Sequence, residues 1–99
     1  MKRVLMIGVL PLLSACVAEL SPEAQLVRQV SIHSVSDCRF LGPVSGSESW
    51  GMGTTQDAES ALNKLRNKVA ALGGNAFVQT NSSTRGDGTV IQGDAYFCR

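Results

Sequence analysis

The clearest pattern of apolar and polar positions in this chain is a helical one near its middle. Asp57 and Glu59 lie where a first turn would be, and the helix dipole favours negative charge there. Gly73 or Gly74 can adopt the left-handed conformation that ends a helix. These signals predict an amphipathic helix over residues 57–72 with one buried face. Its apolar stripe consists of Ala58, Ala61, Leu62, Leu65, Val69 and Leu72.

The opposite face of this helix is polar and carries Lys64, Asn67 and Lys68. Charged and amide side chains at helical spacing are typical of a face in contact with solvent. We therefore expect a solvated surface here, and a binding site is the alternative interpretation.

Four shorter segments have the alternation or the β-branched content of strands. They are residues 26–32, 38–46, 75–80 and 89–98. In the first segment, Leu26, Val30 and Ile32 fall on one side, which predicts a strand that buries these three side chains. Pro43 lies in the second segment and predicts an edge position or a bulge, because proline cannot donate a hydrogen bond to a neighbouring strand.

Polar stretches separate the strands within each pair, at residues 34–37 and 81–88. The dipeptide Asp87-Gly88 is a hairpin signal in the second stretch. The element order is therefore β-β-α-β-β, with one helix whose single apolar stripe covers one face of the sheet. Short hairpins at each end favour a small antiparallel or mixed sheet with the helix as the crossover. The expected fold is a two-layer α+β domain.

The N-terminus has the pattern of an export signal. Lys2 and Arg3 are followed by an apolar run over residues 4–13. This run is about half of the ~20 residues that a membrane-spanning helix needs. A charged start, a short apolar stretch and small residues after it indicate a secretory signal rather than a membrane span.

The residues that follow the apolar run are Leu13, Ser14, Ala15 and Cys16. This tetrad resembles the lipobox of bacterial lipoproteins, in which the cysteine thiol receives a diacylglycerol and the signal is cut before the cysteine. The resemblance implies cleavage between Ala15 and Cys16, with palmitate or similar acyl chains on Cys16. An ordinary signal peptide that contains a cysteine is the alternative.

The export signal and the composition of the next residues divide the chain into three parts. Residues 1–15 are the lipoprotein signal peptide, residues 16–25 the lipidated N-terminus with a short tether, and residues 26–99 the α+β domain. In the bacterial sorting rule, Asp after the lipidated cysteine favours the inner membrane. Because Val17 and Ala18 follow Cys16, we expect the outer membrane, with the domain facing the periplasm and the inner membrane as the alternative.

The chain contains three cysteines, an odd number for an exported protein. Lipid on Cys16 leaves Cys38 and Cys98, and an oxidising compartment allows these two to form a disulfide. A redox-active pair is the alternative, but such pairs are typically separated by two residues at a helix start. We therefore expect one structural disulfide between Cys38 and Cys98.

Charge and motif content argue against several functions. Lys2 and Arg3, two of the nine basic residues, would be removed with the predicted signal peptide, which leaves seven Lys and Arg against eight Asp and Glu. This near-neutral balance disfavours a nucleic-acid binder. His33 is the only histidine, so we expect no metal site and no cofactor. No pattern places a nucleophile beside a base, so we expect no enzyme. Trp50, the only tryptophan, lies in a Gly-rich loop and is either a lid on the sheet or a contact for a partner.

Residues 65–78, LRNKVAALGGNAFV, resemble the helix-Gly-Asn-Ala-strand signature of a family of small bacterial lipoproteins of unknown function. More distantly, the chain resembles the Rcs stress-sensor lipoprotein of the outer membrane. The resemblance implies a lipid-tethered α+β domain locked by disulfides. In the stress sensor, such a domain reports envelope damage through protein contacts.

Two functions remain as expectations. The first is a membrane-anchored envelope lipoprotein that acts as a non-catalytic protein-interaction or stress-sensing module, through a sheet edge or the loop that contains Trp50. The second is a small-ligand or metal-binding periplasmic lipoprotein.

Overall fold

The computed structural model describes residues 19–49, 54–85 and 88–99. Within these ranges, one helix packs on a four-stranded sheet, so the predicted two-layer α+β domain is confirmed. The elements, in chain order, are β1 (Arg28–Gln29), β2 (Arg39–Ser49), α1 (Thr54–Ala71), β3 (Ala76–Arg85) and β4 (Gly88–Phe97). Two 3₁₀ turns precede β2, at Ala24–Leu26 and Ile32–Ser34. The predicted signal peptide, Cys16 and Trp50 lie outside the described residues.

The sheet is mixed, with strand order β1-β3-β4-β2. β1 is parallel to β3, whereas β4 pairs antiparallel with both β3 and β2. The expectation of a hairpin at each end is therefore wrong at the N-terminal end, because β1 pairs with β3 and not with β2. The helix makes the crossover from β2 to β3, and β4 lies between those two strands.

The prediction for Pro43 is confirmed. β2 is an edge strand of the sheet, and its register with β4 shifts between Phe40 and Gly42, next to the proline. The proline therefore lies in a strand with one unpaired side.

The helix begins at Thr54, three residues before the predicted start, and ends at Ala71. Its predicted end signal is confirmed, because Gly73 has a φ of 84°. The amides of Gly73 and Gly74 donate to the carbonyls of Ala70 and Val69, which is the Schellman arrangement.

The core forms between the helix and one face of the sheet. Phe77 is its largest fully buried side chain. The predicted stripe supplies Ala61, Leu65 and Val69, but Leu72 lies beyond the end of the helix and is 48% exposed. The other buried members come from the strands and the segment before them: Val27, Val44, Ile91 and Ala95.

The first predicted strand is mostly wrong. Only Arg28 and Gln29 pair with β3, whereas Leu26 and Ile32 lie in the 3₁₀ turns and are exposed. Val30 is only partly buried. The buried side chains of this region are Ala24 and Val27, which are three positions apart. This spacing matches the three-residue period of a 3₁₀ turn, whereas a strand has a period of two residues.

The second hairpin is confirmed and is longer than predicted. β3 continues to Arg85 and β4 begins at Gly88, so most of the expected turn over residues 81–88 is strand. Its side chains are polar and exposed. Backbone pairing such as that of Ser82 with Ile91 forms the ladder, and such pairing leaves no mark in the polarity of the sequence.

The predicted disulfide is confirmed, and it joins Cys38 to Cys98 with a Cα–Cα distance of 4.4 Å. The bridge lies where β2 begins and β4 ends. Asn75 reinforces this end of the domain, because its Oδ1 accepts from the amide of Cys98 at 2.8 Å and its Nδ2 donates to the carbonyl of the same residue.

Asn67 holds the segment that precedes β1. Its Nδ2 donates to the carbonyl of Glu19, and its Oδ1 accepts from the amide of Ser21, both at 2.9 Å. Ala24 is fully buried nearby. The described part of the expected tether therefore lies against the domain. The polar helix face has a structural role at Asn67, while Lys68 is exposed as expected.

Asn67→Ala should release this segment, because two hydrogen bonds are lost at once. We expect the free energy of unfolding to fall by about 1–3 kcal/mol, and the amide of Ser21 to exchange with solvent much faster. Hydrogen exchange monitored by NMR measures the second effect. Lys68→Ala, on the adjacent exposed residue, should change neither, and equal exchange in the two variants would disprove the role assigned to Asn67.

Candidate interaction site

A cavity of about 450 Å³ opens at the end of the sheet opposite the disulfide. β2 ends here, and the β3–β4 hairpin reverses direction. The helix contributes Lys64 to one wall. The strands contribute the remaining wall, which includes Ser47, Glu48, Ser49, Arg85, Thr89 and Val90.

A cluster of three interacting side chains forms the wall between β2 and the helix. Glu48 Oε1 accepts from Ser60 Oγ at 2.7 Å and pairs with Lys64 Nζ at 2.9 Å. Lys64 Nζ also donates to the carbonyl of Ser47 at 3.1 Å. Ser60 and Lys64 are four residues apart on one face of the helix, which brings both to the same carboxylate.

Electrostatics at this cluster favour the ionised form of Glu48. The hydrogen bond from Ser60, followed by that from Lys64, lowers the pKa of the Glu48 carboxyl below its usual value of 4.5. The cavity wall is therefore an ion pair with a fixed hydroxyl donor at neutral pH. The two charges largely compensate each other, and Arg85 adds a further cation to the lining.

The lowered pKa of Glu48 predicts a pH dependence of stability. Because the unfolded chain binds this proton more tightly, the stabilisation is complete above about pH 4.5 and is lost as the pH falls through the lower folded pKa. In a series of urea titrations at decreasing pH, the Glu48→Gln variant should not show the part of the stability loss that comes from protonation of Glu48. Glu59→Gln, at an exposed helix position, serves as the control. A Glu48→Gln profile as steep as that of the native protein would contradict the assignment.

The structure places the residues named from sequence as follows. Cys38 and Cys98 are bonded to each other at the opposite end from the cavity. Trp50 lies outside the described residues, but its neighbour Ser49 is in the cavity wall. His33 is exposed in the second 3₁₀ turn, where its amide donates to Ser31 Oγ.

Two further findings concern metals and membranes. Among the described residues, no group of three or more His, Cys, Asp or Glu side chains is arranged to hold a metal ion. Within the same part of the chain, no helix combines the length and apolarity that crossing a membrane requires.

Sequence reasoning missed the cluster of Glu48, Ser60 and Lys64. The spacing of Ser60 and Lys64 was a signal that both lie on one helix face, but nothing in the sequence brings β2 beside that face. The structural roles of Asn67, which was assigned to a solvated face, and of Asn75, which was part of the signature, were missed for the same reason, since each binds backbone groups far away in the chain.

The sequence of the chain matches that of a known protein family. A sequence profile described as a domain of unknown function, DUF4156, matches residues 18–98. The chain belongs to the DUF4156 family. The match covers all the described elements and both cysteines of the disulfide. The expectation of a family of unknown function is confirmed.

The chain is also similar in sequence to individual bacterial proteins. The chain is 32% identical over 87 residues to the uncharacterized protein YjeI of Escherichia coli K12, a match that spans 81% of this chain and 74% of the relative. The YjeI proteins of Escherichia coli O6:H1 and Shigella flexneri match to the same extent. No solved structure matches the chain.

The Gly-Asn-Ala signature of this DUF4156 chain has a structural explanation. A Cβ on Gly74 would lie 2.9 Å from the carbonyl oxygen of Tyr96 and 2.9 Å from Val69 Cγ1, so the position requires glycine. Asn75 binds the backbone of Cys98, and Ala76 is buried in the sheet. The signature therefore closes the helix onto the end of β4 beside the disulfide.

Proposed function

We propose that this DUF4156 protein is a lipid-anchored protein of the bacterial outer membrane whose domain binds another envelope protein and catalyses no reaction. The anchor is Cys16 in the lipobox-like tetrad, and the domain faces the periplasm. The distant resemblance to the Rcs sensor extends the proposal to a role in reporting envelope stress.

The observation that carries the interaction role is the lining of the cavity, which includes Ser49, the residue before Trp50 in the chain. The cavity wall ends at Ser49, and the next residue is the only tryptophan of the chain. Arg85 lines the same cavity, and Val90 lies exposed in its wall. Trp and Arg are the residues most enriched among the energetic centres of protein interfaces.

The internal pairing of the cluster supports a non-catalytic role. Ser60 is fully buried and donates to Glu48, so its hydroxyl is not accessible to a substrate. Glu48 is held by Lys64 as well, which lowers its pKa and makes it a poor proton acceptor. An efficient general base has a pKa near the operating pH. The lowered pKa of Glu48 lies further from neutral pH than that of an ordinary glutamate.

A photo-crosslinking experiment in intact cells tests the interaction role. A photoreactive amino acid replaces Val90 at the cavity in one strain and Ile32 in another, both exposed apolar positions. We expect a specific protein to be captured from position 90 and not from position 32. Trp50→Ala should reduce that capture several-fold while the disulfide and the melting temperature are retained. Equal capture from both positions, or an amount of captured protein that does not change in the Trp50→Ala variant, would contradict the proposal.

The cavity also favours a second candidate, the binding of a small polar ligand. Its volume of about 450 Å³ falls within the range of small-molecule sites. Glu48 largely compensates the charge of Lys64, so Arg85 is the cation that would attract an anion. This candidate predicts a stoichiometric small molecule in native mass spectra of the exported protein, which Arg85→Ala would remove. Elemental analysis of the oxidised protein tests the metal-binding variant of the same idea.

A further inference from the structure

The end of the domain that carries the disulfide exposes several large apolar side chains. Phe97 pairs with Arg39 beside the bridge, and Phe40 packs its ring on Tyr96 with the centroids 5.6 Å apart. Leu72 lies between the helix end and Asn75, which binds Cys98. The exposed fractions are 74% for Leu26, 55% for Phe40, 48% for Leu72 and 37% for Phe97.

Leu26 belongs to the same end, because the amide of Arg28, two residues later, donates to the carbonyl of Asn75. Ile32, also exposed, lies in the connection that leads back to Cys38. Among the described residues, Val90 is the one exposed large apolar side chain at the cavity end. The exposed apolar surface is therefore concentrated at the disulfide end.

Exposed basic side chains surround these apolar ones. They are Arg28, Arg39, Lys68 and Arg99, and the exposed acids in the same part of the domain are Glu19, Glu23 and Asp37. Apolar side chains among Arg and Lys suit the boundary between lipid headgroups and acyl chains, where the cations meet anionic headgroups. A cation near an anionic leaflet contributes on the order of 1 kcal/mol.

Chain length limits how far this end can lie from a lipid on Cys16. The carbonyl of Glu19 is fixed by Asn67, and three residues of extended chain span at most about 11 Å. Asn67 is four residues from the end of the helix at Ala71, about 6 Å along its axis, and thirteen residues from Thr54, about 20 Å. The anchor therefore attaches to the half of the domain that contains the disulfide.

From these three observations we propose that the disulfide end of the domain lies on the membrane surface, in contact with anionic phospholipid. The surface consists of Leu26, Phe40, Leu72 and Phe97 with the basic side chains around them. This inference rests on the lipid anchor of the proposed function and adds an orientation to it. The cavity then faces away from the bilayer, where a protein partner can reach it.

Two exposed positions on β4 provide a matched pair of reporters. Val90 and Phe97 are seven residues apart, about 24 Å along the strand. In a Trp50→Phe background, Val90→Trp and Phe97→Trp each place a single indole at one end of the domain. Each lipidated variant is reconstituted in vesicles of phosphatidylcholine and phosphatidylglycerol, with and without phosphatidylcholine brominated on its acyl chains.

We expect brominated lipid to reduce the emission of Phe97→Trp by roughly twofold or more, because interfacial side chains lie about 5–10 Å into the headgroup and acyl boundary. The emission of Val90→Trp should stay unchanged. Leu72→Trp provides a second reporter at the disulfide end if Phe97→Trp does not fold. Quenching that is equal at both ends, absent from both, or stronger at position 90 would overturn the orientation.

Mass analysis of the same protein separates this inference from the proposed function. A mass that includes acyl chains on Cys16, together with the wrong quenching pattern, rejects the orientation and leaves the anchor intact. A mass without acyl chains rejects the anchor, and the orientation with it. Acylated protein with quenching confined to the disulfide end supports both.

Discussion

Gly46→Ala should destabilise the domain by about 3 kcal/mol or more, which is the upper range for overpacking a closed core. Gly46 lies in β2 directly under the helix. A Cβ there would lie 2.7 Å from the amide nitrogen of Leu65 and still closer to the carbonyl oxygen of Ala61. Both atoms belong to the helix backbone, so relief requires the whole helix to move away from the sheet. Urea denaturation measures the change in the free energy of unfolding.

Gly73→Ala is the matched control. Gly73 has a positive φ of 84°, but a Cβ there would meet no atom within 4 Å. The cost is therefore conformational alone, roughly 1–2 kcal/mol for a left-handed residue that carries a Cβ. Because β2 and the helix must separate in the Gly46 variant, a Gly46→Val chain should not fold. A Gly46→Ala protein as stable as Gly73→Ala would show that the helix does not approach β2 this closely.

Removal of the disulfide should have the second large effect. Cys38 and Cys98 are 60 residues apart in sequence. Closing a loop of that length is expected to contribute about 4 kcal/mol by restricting the unfolded chain. Small domains have about 5–15 kcal/mol of stability in total, so Cys38→Ser with Cys98→Ser should leave a marginal domain. The shift of the urea midpoint between the native protein and this double variant gives the loss.

Cys16→Ser is the control for the cysteine substitutions, since it removes the predicted lipid site and retains the bridge. It should unfold at the same urea concentration as the native domain. Reduction of the native protein with dithiothreitol should reproduce the double variant. If the reduced and oxidised domains unfolded at the same midpoint, the bridge would have no part in stability.

The helix and the two long strands before and after it could be predicted with useful accuracy. Their signals are local, since the stripe of Ala61, Leu65 and Val69 repeats at the helical period and Gly73 marks the helix end. The disulfide was also predictable, from a count of cysteines. The strand predicted over Leu26 to Ile32 was mostly wrong, because the segment forms short 3₁₀ turns, which bury side chains three positions apart. Ser31 starts one of these turns by accepting from the amide of His33.

The candidate site was predictable only in part. Trp50 was named from its residue type, and the cavity lies beside Ser49, one residue earlier. Glu48 had no local signal, because its partners Ser60 and Lys64 are on another element. The proposed membrane-facing surface could not be predicted either, since its members come from four separate parts of the chain.

The sequence by itself determined the α+β class, the element order and the pairing of Cys38 with Cys98. Hydrophobic periodicity and cysteine number are properties of residues close in the chain or of the chain as a whole. Only the tertiary structure decided that β1 joins β3, that Gly46 lies under the helix, and that Asn67 and Asn75 bind distant backbone. These contacts join groups that are many residues apart, so they depend on how the elements pack and leave no local pattern to read.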